Sequence, residues 1–245
     1  MRPEFDGARV TVRRRMERPI RLMTANLLVD RVDQVYLANV LEILDPDLFV
    51  IQELGHKTAD LVASRFPHLY LRPDLDSKGR GIASRFSARF GEVPMPWRRG
   101  SWAIVEHTSG PLLVANIHIR NPIVFPWWKS VRIRGSQLDA LDDWADAAVG
   151  ALPFVLAGDM NASPGWPLYR RLAGRWEDLV ARSADDLEVS PVPTWAWRPG
   201  WPRLLRIDHV FGQGVRAIAT QVVPLRGSDH AAVIVDLVVD AAAQA

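Results

Sequence analysis

The sequence contains no cysteine, which excludes a disulfide framework and a thiolate-ligated metal site alike. Lysine is nearly missing too, occurring only at 57, 78 and 129, so almost all of the 30 basic residues are arginine. Codon usage in a GC-rich genome accounts for much of this, although arginine is also the better residue for bidentate phosphate contacts. An excess of one charge sign is lacking, since 28 acidic residues leave a formal net charge of only +2. No apolar run approaches the ~18 to 20 residues of a membrane span. Arg13-Arg14-Arg15 near the start is not followed by the apolar stretch of a secretory signal. A cytoplasmic protein is therefore expected. No internal repeat is present at the periods of solenoid proteins.

What remains is an ordinary globular chain of 245 residues, 48% hydrophobic, long enough for one large core. We expect a basic arm over 1–19, read as a solvated tail, and a single domain over 20–240. Apolar runs predict strands at Ile20–Leu28, Asp47–Ile51, Gly79–Arg85, Ser101–Glu106, Leu112–Ile119 and Pro153–Ala157. Further strands are expected at Leu204–Phe211, Val215–Val223 and Ala231–Val238. Helical spacing predicts helices over Asp33–Leu44, Thr58–Phe66, Val131–Val149 and Trp166–Leu172. Arg120–Ser130 and Ser183–Pro193 read as loops. Strands alternating with helices, then a terminal cluster of strands, suggest two packed sheets with outer helices.

One stretch, Val155 to Pro164, organises the rest. Gly158 permits a sharp turn at the end of a buried strand. Asp159 and Asn161, two apart in extended chain, would point to one side. Ser163-Pro164 reads as a helix start. Taken alone, the pair could merely cap a turn. It gains meaning from the other polar residues at the ends of buried strands, namely Asn26, Glu53, His118, Asp208, Asp229 and His230. Buried polar groups are costly unless paired or used. His209 should alternate away from Asp208 into packing, and His56, His68 and His107 carry no motif.

In chain order the pieces are Thr24-Ala25-Asn26, Ile51-Gln52-Glu53, Gly81-Ile82-Ala83-Ser84-Arg85 and Asn116-Ile117-His118. They continue with Gly158-Asp159-Met160-Asn161, Arg206-Ile207-Asp208-His209 and Gly227-Ser228-Asp229-His230. The ordered set resembles the endonuclease/exonuclease/phosphatase superfamily, the fold of deoxyribonuclease I, exonuclease III and the neutral sphingomyelinases. The resemblance implies an α/β, four-layer αββα sandwich of mostly antiparallel sheets that hydrolyses phosphate esters with Mg2+ or Mn2+. It implies Glu53, with Asn26 and Asp229, at the metal. It also implies Asp159 on the attacking water, Asn161 donating to the scissile phosphate, His230 on the water with Asp208 behind it, and His118 against the phosphate or leaving oxygen. Histidine at 118, where abasic-site endonucleases have tyrosine, resembles the deoxyribonuclease I, sphingomyelinase and phosphatase branches.

Substrate is set by loops rather than by these residues. Three loops combine tryptophan with arginine, and Arg99, Trp127 and Trp195 are the candidate substrate contacts. Indole stacking on bases with guanidinium on phosphate suits a nucleic-acid strand. A phospholipid surface, reached by peripheral contact, and small phosphorylated metabolites are alternatives. A non-catalytic binding module is the reading from another class. Helical spacing marks Trp144 as core, and about half of the 10 tryptophans are expected there with it. A monomer is expected.

Overall fold

The computed structural model describes residues 18–240. The basic arm expected over 1–19 therefore lies outside the described residues, apart from Arg18, which pairs with Asp47 at 3.0 Å, and Pro19.

Two six-stranded sheets form the frame. The first orders β13 (Val215–Pro224), β14 (Ala231–Val239), β1 (Ile20–Asn26), β2 (Leu48–Gln52), β4 (Arg80–Ser84) and β3 (His68–Arg72). The second orders β5 (Ala88–Val93), β6 (Gly100–His107), β7 (Gly110–His118), β8 (Phe154–Asp159), β12 (Asp208–Gln213) and β9 (Glu177–Asp178). Each has one parallel pair at its centre, β1 with β2 and β7 with β8, and is otherwise antiparallel. A separate two-stranded ribbon joins β10 (Trp195–Ala196) to β11 (Arg203–Leu205).

The central strands β2 and β8 are buried at every position, as strands covered on both faces must be. Leu22, Val50, Val114, Val155, Val210 and Val235 fill the space between the sheets. Outside the first sheet lie α1 (Gln34–Leu44) and α2 (His56–Ala63), which supply Leu37, Leu41 and Val62 to a second core with Phe49. Outside the second lie α3 (Trp127–Ala148) and α4 (Pro167–Ala173), whose Leu138, Leu141 and Leu168 meet Phe154 and Trp176. The arrangement is the expected four-layer sandwich. Helix α5 (Leu179–Asp186) sends Leu179 and Val180 into the inter-sheet core. Among the described residues no helix is long and apolar enough to cross a membrane.

Several boundaries differ from expectation. Strands β3 and β5 were not legible, because they lie at sheet edges, half-buried, without clean alternation. The run 204–211 is two strands: the chain breaks after Leu205, and Asp208 opens β12 rather than lying within a strand. Helix α3 begins at Trp127 and takes in residues expected in a loop, and α5 extends to Asp186. Ser163 caps no helix; its carbonyl closes a turn with Trp166 N, and α4 starts at Pro167.

Gly158 does not end its strand. It pairs with Ile117 on one side and His209 on the other, and β8 runs on to Asp159. Its φ is +139°, and a Cβ there would lie 2.0 Å from the Ile117 carbonyl oxygen. Gly158→Ala is expected to cost on the order of 3 kcal/mol through backbone strain and overpacking. Thermal denaturation should show a drop of roughly 6 to 12 °C; a midpoint within about 1 °C of wild type would show that β7 simply yields.

Candidate active site

The parallel pairs decide where the polar residues meet. Asn26, Glu53, His118 and Asp159 stand at or just beyond the carboxyl ends of β1, β2, β7 and β8. Antiparallel β12 and β14 begin at that same edge, so Asp208 and His230 arrive there too. Ligands gather at carboxyl ends of parallel strands because side chains and loops converge there from neighbouring strands.

Asp159 is the centre. It is 1% exposed, and its Oδ2 accepts from Asn26 Nδ2 at 3.1 Å and Asn161 Nδ2 at 3.0 Å, while Oδ1 accepts from Asn161 N at 2.9 Å. His118 Nε2 lies 3.3 Å and His230 Nε2 3.8 Å from Oδ2. Burial works to raise the Asp159 pKa. The positive field of His230, His118 and the Asn161 amide outweighs it and holds the carboxyl far below the usual range.

His230 is 6% exposed, and its Nδ1 faces both oxygens of Asp208 at 3.1 and 2.9 Å. Burial opposes its charge, yet Asp208, Asp159 and Asp229 together push its pKa up to about 10. These carboxylates favour the imidazolium, and its Nε2 stands 3.8 Å from Asp159 Oδ2. Thr194 Oγ1 accepts from Ile207 N and Asp208 N, which fixes the start of β12. Ser228 Oγ donates to Asn26 O at 2.8 Å and accepts from His230 N at 3.1 Å, tying β1 to β14. Beneath the site, Gln52 Nε2 donates across the sheets to Asn116 Oδ1 at 2.8 Å, and Asn116 Nδ2 donates to Ile51 O and Gly81 O.

Asn161 departs from the extended reading. Its φ is +48°, and its amide is spent on Asp159 and, at 3.0 Å, on Ile119 O. Asparagine tolerates this left-handed geometry. The side chain therefore holds the carboxylate, with both amide hydrogens committed. Glu53, the residue after β2, is also left-handed, at φ +50°.

Metal fit follows from which oxygens are spoken for. Asp159, Asp208 and His230 place ligand atoms within 4.8 Å of one another, but His230 Nδ1 is committed to Asp208 and Asp159 to amide donors. Among the described residues, only His118 Nε2, at 3.8 Å, comes within ion-pairing distance of Glu53. Asp229 Oδ1 is buried without a partner among the described residues, while its Oδ2 accepts from Trp195 Nε1 at 3.2 Å. Open carboxylate oxygens suit a hard divalent cation. Asp229 and His230 also border a cleft of about 430 Å³ with Trp201, Arg203 and Arg226.

The expected loop contacts are placed unevenly. Trp195 sits at the site through its bond to Asp229 and a bridge to His230. Trp127 is exposed and packs edge-on against Trp128. Arg99 pairs with Glu92 at the surface. Its neighbour Arg98 is the one at the centre, with Nη1 2.6 Å from His118 Nε2. Arg98, Arg120, Arg134 and Gln137 were not singled out from sequence. A readable sign was the Arg134-x-x-Gln137 pair on the buried face of an otherwise amphipathic helix.

A second buried carboxylate stabilises the surroundings. Asp178 caps α5 through Val180 N and Ala181 N and accepts from Arg206 at 2.7 Å; His209 lies at 3.3 Å. His209 is fully buried, in packing as expected. Burial acts to raise the Asp178 pKa, but His209, Arg206 and the cap amides overcome it and depress it strongly. A depressed carboxylate stabilises the fold above its unfolded value of about 4, and the contribution fades as pH falls below that. Asp178→Asn should cost about 3 kcal/mol at neutral pH and flatten the loss of stability between pH 5 and 3. Denaturant unfolding at both pH values checks this; an unchanged pH slope would remove Asp178 as the source.

The family model for the Endonuclease/Exonuclease/phosphatase family matches residues 23–230. No curated protein sequence matches the chain. Solved structures of similar fold include an endonuclease/exonuclease/phosphatase from Beutenbergia cavernae DSM 12333. It is 23% identical with TM-score 0.70, over 91% of this chain and 72% of that one. The human Nocturnin catalytic domain with bound sulfate is 18% identical with TM-score 0.69, over 90% of this chain and 94% of that one. A mannosyl-6-phosphatase of Bacteroides thetaiotaomicron VPI-5482 is 18% identical with TM-score 0.63, over 89% and 99%. At these identities the likeness establishes the fold. The family match over most of the chain establishes more: this protein belongs to the endonuclease/exonuclease/phosphatase family of divalent-metal-dependent phosphoester hydrolases.

Proposed function

We propose that the protein is a phosphodiesterase of nucleic acid that uses a magnesium or manganese ion and in-line attack by water. The observation that carries the chemistry is Asp159, an anionic carboxylate gripped by Asn26 and Asn161 between two histidines. Glu53 and Asp229, with Asn26 beside them, would hold the ion, which supplies charge neutralisation at the phosphoryl oxygens when bound. Asp159, held anionic by its donors, orients the attacking water. The His230 imidazolium, steadied by Asp208, donates from Nε2 to a phosphoryl oxygen as negative charge builds there. His118 stands on the opposite side of Asp159 and serves the phosphate or the leaving oxygen. Asn161 acts on Asp159, because its amide hydrogens are already committed.

Nucleic acid is favoured by the tryptophans. Trp102, Trp144 and Trp176 pack in the core, whereas Trp97, Trp127, Trp128, Trp197 and Trp201 are each more than half exposed. Exposed indoles interleaved with arginine stack bases and meet phosphates. A second reading has its own observation: Ile123, Phe125, Trp127, Trp128 and Val131 form an exposed apolar stretch beside Lys129 and Arg132, as a protein resting on anionic lipid would present.

Hydrolysis of plasmid DNA, bis-para-nitrophenyl phosphate and sphingomyelin vesicles, with magnesium and with EDTA, tests these readings. Magnesium-dependent cleavage of plasmid is expected, and turnover of the vesicles alone would overturn the nucleic-acid reading in favour of the second. Duplex DNA affinity should weaken roughly tenfold or more between 50 and 200 mM salt. Salt-independent binding would remove the arginines from the phosphate contacts.

A further inference from the structure

Most ion-paired arginines here meet a carboxylate, as Arg21 does with Asp236 and Arg171 with Asp142. Among the described residues three arginines are buried, Arg120, Arg134 and Arg206, at 9%, 7% and 7% exposure. Arg206 has Asp178 at 2.7 Å. Neither Arg120 nor Arg134 has a described carboxylate within ion-pairing distance, nor does half-buried Arg98. Burying a guanidinium without a directly paired counter-charge is costly. Glu53 and Asp159 act on Arg98, and Asp159 on Arg134, only from beyond ion-pairing distance, which leaves the Nε donors of Arg98 and Arg120 unspent.

Their placement supplies a use. Ile119 N donates to Asp159 O at 2.9 Å, so β7 pairing continues past His118. Ile117 and Ile119 point into the core under α3, and alternation turns His118 and Arg120 together to the opposite side, toward the site. The Arg120 backbone is clamped, its N–H on Gln137 Oε1 at 2.9 Å and its carbonyl accepting from Arg134 Nη1. The Arg120 side chain is less occupied: it lies 4.2 Å over the Trp97 ring, and its Nε is buried without a partner among the described residues. Arg98, next along from Trp97, reaches His118 Nε2 with Nη1 and donates to Ser77 Oγ with Nη2, and its Nε too is buried and unpartnered. Burial lowers the Arg98 pKa against the pull of Glu53 and Asp159, and nearby Arg120 adds a smaller repulsion.

The structure assigns Arg98 and Arg120 to a second anion subsite, beside the scissile-phosphate position at His118, that takes a neighbouring phosphate of the same nucleic-acid strand. The inference rests on the phosphoesterase reading of Asp159 and His118. It adds that a substrate with two phosphates one nucleotide apart is preferred over one with a single phosphate. A tetrahedral dianion or diester offers oxygens to both forks at once, which a lone carboxylate cannot do as well. Trp97, holding Arg120 from beneath, keeps that fork extended toward the strand.

The test is calorimetric titration of the full chain carrying Asp159→Asn, which prevents turnover, with magnesium present. The probes are the thymidine dinucleotide with one internal phosphate, its 5′-phosphorylated form and its 3′-phosphorylated form. One phosphorylated form should bind about tenfold tighter than the parent, or better. Adding Arg120→Gln should bring the two within about twofold, with Arg120→Lys in between as a point charge. Arg98→Gln, read in the same titration, should give the same loss. Equal affinity for all three probes, or a preference that survives both glutamine variants, overturns the subsite. An arginine kept for a ligand is not needed by the free fold, so Arg120→Gln without ligand should match or exceed the parent melting temperature. A clear fall marks a structural arginine and overturns the assignment. Hydrolysis of bis-para-nitrophenyl phosphate by the wild type reports separately on the phosphoesterase reading. Activity without a binding preference sinks the subsite alone, and a preference without activity leaves the subsite standing while the phosphoesterase reading fails.

Discussion

Asp159→Asn is expected to lower kcat for bis-para-nitrophenyl phosphate by roughly 10³-fold, the scale of losing one preorganised electrostatic group from a buried site. The substitution keeps shape and removes charge. With Asn26 and Asn161 presenting amide donors to Oδ2, the new side chain keeps its oxygen toward them and turns NH2 toward His118 and His230. It can then neither hold the attacking water with a negative charge nor offset the His230 imidazolium, whose raised pKa depends in part on Asp159. Circular dichroism should show the fold retained. More than about a tenth of wild-type activity in a folded variant would move the water-orienting charge elsewhere.

Glu53→Gln is expected to be comparably severe for a different reason. Glu53 has no described partner closer than His118 Nε2 at 3.8 Å, so its charge is available to a cation, and a neutral amide binds magnesium poorly. In the wild type, magnesium at 100 times its Kd should stabilise the folded protein by about 2.7 kcal/mol. That corresponds to a melting shift of roughly 5 to 10 °C for a chain of this size. Glu53→Gln should abolish both the shift and the activity, and EDTA should return the wild type to the variant's behaviour. An undiminished magnesium-induced shift in Glu53→Gln would assign the ion to other residues.

Much of the site was legible because the family chemistry sits at strand ends, and buried strands announce themselves as apolar runs. Asp159, Asp208 and His230 come together although each lies in a separate stretch of the chain. Asn161 shows where local reasoning fell short: residues two apart share a side only while the chain stays extended, and here it turns left-handed after Met160. Arg99 shows a second limit. Adjacent arginines in Pro96-Trp97-Arg98-Arg99 look alike in sequence, and which one faces Glu92 and which faces His118 depends on a partner 20 residues away from Arg98.

The sequence by itself determined the layers, because central strands such as Leu48–Gln52 and Phe154–Asp159 are apolar enough to be covered on both faces and the helices carry one apolar stripe each. It also determined the reaction class, through residue types whose order along the chain is preserved. Only the tertiary structure decided which polar groups are already satisfied and which are left open. Asp159 and Asn161 proved mutually engaged, while Glu53, Asp229 Oδ1 and the guanidiniums of Arg98 and Arg120 face the site with unused bonding capacity. That distinction is a matter of distances between residues far apart in sequence, set by how two sheets pack across a shared core, and no local pattern encodes it.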